Sequence, residues 1–454
     1  MLETLLSRLR EHPDAPEPLV DRALGNTAMR RVGVEAIEIG ISGHPSADKQ
    51  ISKLLREARV LGSKERRLVS DTVYGAVRDW KTLCCLLEMG GITTHTPTAL
   101  WSAHLLAMRG ATLSIAIQET GLDGLQHASS PLKSLQEWYE RTAPNAAETI
   151  STLASLPTWL ASRLIQQHGA DDAASLASAL CQRAPTTLRA NKSRIQRSEL
   201  SKILLESQVH TTEGSLTEDS LHVEGRANLR GLEAFRAGLF EIQDEGSQLV
   251  SELVEPPQGG LIVDFCCGAG GKALAIAHRL PRRARIVGLD IRAPAIREAQ
   301  RRSKRAGCTK LDLHIIQPDG PLPIEEKSAH RVLVDSPCSG TGRIRRQPAS
   351  RWSLTESQLT DLLVTQASIL KRASHLVRPK GRLIYATCSL LEEENEQIID
   401  SFIEENPGWK LLPAKEIIGR KRARKVGDGT TLNTRPDLHG TDGFFAAILV
   451  REAE

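Results

Sequence analysis

Leu261-Ile262-Val263-Asp264-Phe265-Cys266-Cys267-Gly268-Ala269-Gly270-Gly271-Lys272-Ala273 reads as a buried strand, a glycine loop and the first turn of a helix. Gly268 and Gly270 let the backbone approach a ligand closely, and the helix behind them offers its positive N-terminus. Asp290 lies about twenty residues on, at the end of the next expected strand, where a carboxylate can accept both hydroxyls of a ribose. The pattern suits nicotinamide and S-adenosylmethionine alike, and Gly268-x-Gly270-x-x-Ala273 even meets the dinucleotide fingerprint. A Walker phosphate loop is excluded, because it needs glycine where Cys266 stands and Ser or Thr where Ala273 stands.

Outward from this loop the chain alternates. Strands are expected at Leu261 to Phe265, Arg285 to Leu289, Leu311 to Ile316, Arg331 to Val334 and Arg382 to Ala386, with a last one at Phe444 to Val450. Helices are expected at Ala273 to Arg279, Ala295 to Arg305, Glu356 to Leu376 and Glu394 to Glu404. Strand and helix in turn predict a parallel, doubly wound α/β sheet over residues 245–454, the Rossmann-like class. In such a sheet the C-terminal ends of the strands face the ligand crevice. Two of those ends carry cysteine: Asp335-Ser336-Pro337-Cys338-Ser339-Gly340 and Ala386-Thr387-Cys388-Ser389. A single free cysteine is most simply a small buried hydrophobe. Two at equivalent strand ends, beyond a nucleotide-type loop, point to chemistry that needs a thiolate.

That chemistry separates the two cofactors. Hydride transfer needs no thiol. Methylation of a pyrimidine at C5 does, because C5 is too poor a nucleophile to attack a methyl sulfonium. A thiolate adding to C6 makes C5 nucleophilic, and an acid at N3 eases the addition. Asp335, three residues before Cys338, is placed for that task.

Residues 1–150 read as helical. Ile51, Leu54, Leu55 and Ala58 follow a cap at Ser46. One longer helix is expected from Ser63 to Gly90, with Cys84 on its apolar stripe and Cys85 without chemical context. These helices carry Lys53, Arg56, Arg59, Lys64, Arg66, Arg67, Arg78 and Lys81. A solvated face and an RNA-binding face both fit such a cluster. Residues 151–244 read as a small α+β subdomain: a helix from Leu160 to Leu180, a strand at Thr186 to Ala190, a helix at Glu199 to Glu206, and short strands near Val209, Leu221 and Leu239. Arg343, Arg345 and Arg346, just after the first cysteine loop, are candidates to meet an RNA backbone. The 419–425 run of basic residues reads as an exposed loop. Arg297, Arg301, Arg302, Lys304 and Arg305 read as a solvent-facing helix surface.

With 454 residues the chain can bury two or three cores. A net charge of +4 with 25% charged residues excludes a polycation, so nucleic-acid contact must come from local clusters. The eight cysteines form no C-x-x-C zinc pair, and no metal site is expected. No apolar run approaches ~18 residues, so no membrane span is expected. Nothing at the start reads as a signal peptide. A reducing, cytoplasmic compartment follows as an expectation; the oligomeric state stays open.

The assembled motifs resemble the RNA cytosine-C5 methyltransferases of the RsmB/Sun and Nop type. The resemblance rests on Val263-Asp264-Phe265-Cys266 through Gly270-Gly271-Lys272, on both cysteine motifs, on Glu393-Glu394-Asn395-Glu396, on Asp442-Gly443-Phe444-Phe445, and on Phe240 through Gln248. It implies Cys388 as nucleophile, Cys338 as helper in product release, and Asp335 at the base and near the cofactor. It also implies a cofactor site for S-adenosylmethionine made of Cys266, Cys267, Gly268, Ala269, Gly270, Gly271 and Lys272, with Asp290 on the ribose and Asp319 near the adenine. The helical N-terminal part is similar to the NusB-like RNA-binding domain of bacterial 16S rRNA members, which makes 16S rRNA the expected substrate. A tRNA or 23S rRNA enzyme, or an assembly factor that kept the fold and lost turnover, is the alternative. Ala269 and Ala273 depart from the Pro and Thr common in the family, and Ser336 from its more usual Ala. None of these changes removes a chemically necessary group.

Overall fold

The computed structural model describes residues 1–9 and 18–453. The chain divides into two compact units, Met1–Arg183 with Ile344–Glu356, and Ala184–Arg343 with Ser357–Glu454.

The first unit is helical. Two helices expected as single rods are broken. Ser63–Arg78 and Trp80–Met89 meet at Asp79, whose φ of −102° and ψ of 15° leave the helical range. Asp79 is buried and ion-paired with Arg8. The break resets the helical phase: Cys84, expected in the core, is only half-buried, and Cys85 is buried. Thr158–His168 and Ala170–Cys181 part at Gly169, where φ is 78°.

The helical unit also reaches past residue 150 and takes in a segment from far along the chain. Arg351, 1% exposed, donates to the carbonyls of Arg78 (3.1 Å), Ser155 (3.0 Å) and Leu180 (3.1 Å). The last carbonyls of a helix lack partners within it, and a cation is favoured there. Trp352 donates its indole N–H to the Val77 carbonyl at 2.9 Å and meets the Trp80 ring edge-on at 4.8 Å.

The second unit opens with a four-stranded antiparallel sheet: β1 (Thr186–Ala190), β2 (Thr211–Glu213), β3 (Ser220–Val223) and β4 (Phe240–Ile242), in the order β2-β3-β1-β4. Leu188, Leu221 and Phe240 bury against Leu200 and Leu204 of the Arg197–Glu206 helix. The main sheet follows with β5 (Gly259–Asp264), β6 (Arg283–Asp290), β7 (Leu311–Ile315), β8 (Ala329–Asp335), β9 (Val377–Thr387), β10 (Trp409–Leu412), β11 (Leu432–Thr434) and β12 (Phe444–Arg451). Its order is β10-β12-β9-β8-β5-β6-β7, with β11 also on β12. Pairings among β5 to β9 are parallel, and those of β12 antiparallel. The wholly parallel expectation therefore fails at this one side, where Asp442-Gly443 feeds β12 back along β9. Both faces of the sheet are covered by apolar clusters, as a mostly parallel sheet requires.

On the helix surface expected to face solvent, Arg297, Arg301 and Lys304 are exposed, while Arg302 and Arg305 tie the small sheet to the main one. Arg302 and Arg305 reach Glu241 at 3.0 and 2.5 Å, and Arg302 also donates to the Ala269 carbonyl at 3.1 Å. Within the 419–425 run, Arg420–Ala423 forms a helical turn with Ala423 fully buried.

Candidate active site

β8 and β9 pair in parallel with Asp335 opposite Ala386, so both cysteine loops leave the sheet side by side. The Ser336 amide donates to the Ala386 carbonyl at 2.8 Å, and the Gly342 amide to the Cys388 carbonyl at 2.9 Å. The result is a thiol pair: Cys338 Sγ lies 3.4 Å from Cys388 Sγ, and the Cys388 amide donates to Cys338 Sγ at 3.3 Å. One proton shared between two sulfurs drives them apart. The bond from Cys338 lowers the pKa of Cys388; burial and Asp335 oppose this, and Arg343 and Lys272 assist it. The same bond, with burial and the nearby Glu394, raises that of Cys338. The direction of these effects favours Cys388 as the thiolate; the Cys388 amide bond to Cys338 Sγ acts against it.

Beside them the Lys272 ammonium sits 2.7 Å from Asp335 Oδ2 and 5.1 Å from the centre of the Phe444 ring. Lys272 is 8% exposed, so this cation is fixed rather than free. Its place in the glycine loop gave no sign that it would pair with Asp335.

In the loop itself, Gly268 and Gly270 have φ of 54° and 74°. A Cβ on Gly270 would come within 2.9 Å of the Ala299 side chain, so glycine is needed for contact with the Ala293–Ala306 helix. Asp290, 4% exposed, accepts from the amides of Gly268 and Arg292, both at 2.8 Å, and from Arg292 Nε at 3.1 Å. The carbonyls of Ala269 and Gly271 face the protein, on Arg302 and Arg189. In the loop, Cys267 is buried and Cys266 half-buried. Cys267 is packed in one apolar cluster and Cys266 against the other, and burial raises the pKa of both. Asp319 is exposed in a loop whose Gln317 carbonyl is held by Arg372 at 3.0 Å. Two residues gave no signal in the sequence. Arg292 covers Asp290 with a side chain 65% exposed. Asp264 is fully buried with neither oxygen in a hydrogen bond; burial, reinforced by Asp335 and opposed by Lys272, pushes its pKa up to about 8.

The basic candidates separate. Arg67 is exposed, with Lys53, Arg56, Arg59 and Lys64. Arg66 is turned onto its own fold, donating to the carbonyls of Ala58 (3.3 Å) and Leu61 (3.0 Å). Arg78 is largely buried, and burial lowers its pKa. Arg345 is 4% exposed and Arg346 half-buried. Arg343 is turned toward the thiols, with Nε 3.9 Å from Asp442. Arg66 is thus half-buried and pinned to carbonyls, and burial sets Arg78 and Arg345 apart from the exposed cations, which a list of basic residues does not show. Among the described residues no cluster of His, Cys, Asp and Glu could hold a metal ion, and no helix is long and apolar enough to cross a membrane.

Residues 251–450 match the family model of the 16S rRNA methyltransferase RsmB/F, and residues 156–230 that of its ferredoxin-like domain. A probable ribosomal RNA small subunit methyltransferase B of Synechocystis is 28% identical over 86% of this chain and 92% of its own length. A ribosomal RNA small subunit methyltransferase B of Klebsiella pneumoniae is 29% identical over 94% and 99%. The solved structure of the protein PH0851 superposes with a TM-score of 0.74 at 22% identity, covering 93% of this chain and 98% of that one, which supports the fold. Two domain models in chain order and relatives matched nearly end to end agree with the strand-end thiols and the glycine loop: this chain belongs to the RsmB/F (Sun) family of S-adenosylmethionine-dependent rRNA methyltransferases.

Proposed function

We propose that the enzyme methylates C5 of a cytosine in 16S rRNA through a covalent adduct between Cys388 and C6. The observation that carries this reading is the thiol pair, 3.4 Å apart, with the protonation preference of its two members opposed.

S-adenosylmethionine supplies an electrophilic methyl group on its sulfonium. Asp290 takes the ribose: it is bonded to the Gly268 amide, and beside Gly268 a Cβ would meet nothing nearer than Arg292 Nη2 at 3.6 Å. The exposed Arg292 side chain would have to move aside, while the two backbone bonds to Asp290 could remain. The Cys388 thiolate adds to C6, the C5–C6 pair of electrons turns C5 into the nucleophile, and C5 takes the methyl carbon as the sulfonium S–CH3 bond breaks with its electron pair left on sulfur, giving S-adenosylhomocysteine. Water accepts the C5 proton, the C5–C6 double bond re-forms from the C5–H electron pair, and the Cys388 sulfur is expelled as thiolate. Cys338 assists by giving its S–H hydrogen bond to that departing sulfur. Asp335, steadied by Lys272, faces the base. Arg343, its side chain 44% exposed, lends positive charge to the thiolate.

The helical unit takes the RNA-binding role, through its exposed Lys53, Arg56, Arg59, Lys64 and Arg67. Action on rRNA implies a cytoplasmic enzyme. Bisulfite sequencing of total RNA from a deletion strain tests the reading. One protected cytosine of 16S rRNA should become convertible. An unchanged set of protected cytosines would sink the cytosine-C5 activity, and a loss confined to tRNA or 23S rRNA would overturn the substrate.

A further inference from the structure

We infer that Glu394 is a positioning residue for the thiol pair: its single buried carboxylate ties the Cys338 loop to the Cys388 loop and keeps the sulfurs in contact. The inference rests on the two-thiol reading above.

Glu394 is fully buried at the end of the helical turn Glu392–Glu394. One oxygen accepts from the Ser339 amide at 2.7 Å and from Gln366 Nε2 at 2.8 Å. The other accepts from the hydroxyls of Ser339 and Ser389. Ser339 follows Cys338, and Ser389 follows Cys388, so each loop is gripped one residue past its sulfur. Gln366 extends the grip to the far side of Cys338, donating to the Pro337 carbonyl at 3.0 Å. The brace is itself anchored, because the Tyr385 hydroxyl of β9 donates to the Glu394 carbonyl at 2.7 Å. Asn395 completes it by donating to the Ser389 carbonyl at 3.1 Å and accepting from Thr387 Oγ1 at 2.5 Å.

Four donors converging on two oxygens call for an acceptor with lone pairs to spare, which an ionised carboxylate provides. Its charge also has a direction. It lies near Cys338 and favours the protonated form of that thiol, which is the form that can donate to Cys388. Without the brace the loops keep their backbone bonds and the link through Thr341, whose Oγ1 meets the Leu390 amide at 2.8 Å and Ser389 Oγ at 3.2 Å, but the carboxylate grip directly beside both sulfurs is lost.

The test uses the full-length enzyme, 5-fluorocytosine RNA and S-adenosylmethionine. Two variants remove the brace from opposite ends, Glu394→Ala and the double change Ser339→Ala with Ser389→Ala; the second keeps the buried acid should the first fail to fold. In both, covalent trapping should slow by about tenfold or more, the worth of one charge-assisted hydrogen bond. Affinity for S-adenosylmethionine should stay within about twofold, because no brace residue reaches the Asp290 side of the site. The midpoint of the trapping rate against pH should move upward, since Cys388 loses the donor that lowers its pKa. Glu394→Gln, which still reaches both serines, should recover part of the rate. Diamide oxidation, followed by mapping of the Cys338–Cys388 disulfide, reads sulfur proximity without catalysis and should slow in the same variants. Unchanged trapping and pH midpoint in folded variants would overturn the inference. So would slower trapping with pH midpoint and disulfide formation unmoved, the signature of mere structural damage. Failure of the parent enzyme to trap would instead count against the thiol mechanism, leaving the diamide result to judge the brace.

Discussion

Asp290 shows how much one position discloses through its neighbours in the chain. Its place at the end of a hydrophobic run puts it at a strand terminus, and strand termini in this fold face the ligand. Cys338, Cys388 and Asp335 are legible for the same reason. Their partners are not. Lys272 pairs with Asp335 across 63 residues of sequence, and Ser339 meets Glu394 across 55. Asp264 and Cys267 share the loop's neighbourhood, yet burial makes one a raised acid and the other an inert thiol. No local pattern encodes burial of that kind. For Asp290 the expectation is quantitative: Asp290→Ala should weaken S-adenosylmethionine binding by roughly 1.5–3 kcal/mol, the value of hydrogen bonds to a charged group. Calorimetry reads this directly, and unchanged affinity in a folded variant would take Asp290 out of the site.

Elements were legible where hydrophobic runs are long and obscure where tertiary contacts decide. All the parallel strands fall near their expected positions. The short β10 and β11 have too few residues for a period to show. The breaks at Asp79 and Gly169 interrupt apolar patterns that continue across them, and the first reflects a buried ion pair with a residue far away in sequence. The junction between the two sheets of the second unit offers a test at this scale. Glu245 begins the Glu245–Leu253 helix, is 1% exposed, and accepts from the amides of Leu216 (2.7 Å) and Thr217 (2.9 Å) and from Ser220 Oγ (2.6 Å). Burial alone would raise its pKa, but the bonds from His222, Ser220 and these amides outweigh it and bring it to about 2. A folded pKa below the unfolded value of ~4.3 stabilises the fold above that value, and the contribution is lost as pH falls through the folded pKa. Glu245→Gln should therefore cost roughly 1.5–3 kcal/mol at neutral pH and flatten the acid limb of stability. Denaturant titrations at neutral and acid pH check it; equal acid slopes for variant and parent would contradict the assignment.

For the chain as a whole, the division into a helical unit and an α/β unit was readable from the change of period, but its boundary was not. Arg351 and Trp352 lie deep in the α/β half of the sequence and complete the core of the helical unit, which no pattern of sequence neighbours could show. The RNA role proposed for that unit predicts a salt effect. Replacing the exposed Arg56, Arg59 and Arg67 with Ala should weaken RNA binding and reduce the salt slope by up to about two units, at ~0.7 per phosphate contact on a single strand. Cofactor affinity should not change, and equal slopes would return these residues to a solvated surface. Above all, the proposed mechanism divides one reaction between the two thiols, Cys388 attacking and Cys338 releasing. A denaturing gel of each alanine variant, after incubation with substrate RNA and S-adenosylmethionine, separates the two roles. Cys338→Ala should stall as a covalent RNA adduct, while Cys388→Ala should form none and methylate nothing. A stable adduct from Cys388→Ala, with none from Cys338→Ala, would reverse the division and move the nucleophile to the Pro337-Cys338 loop.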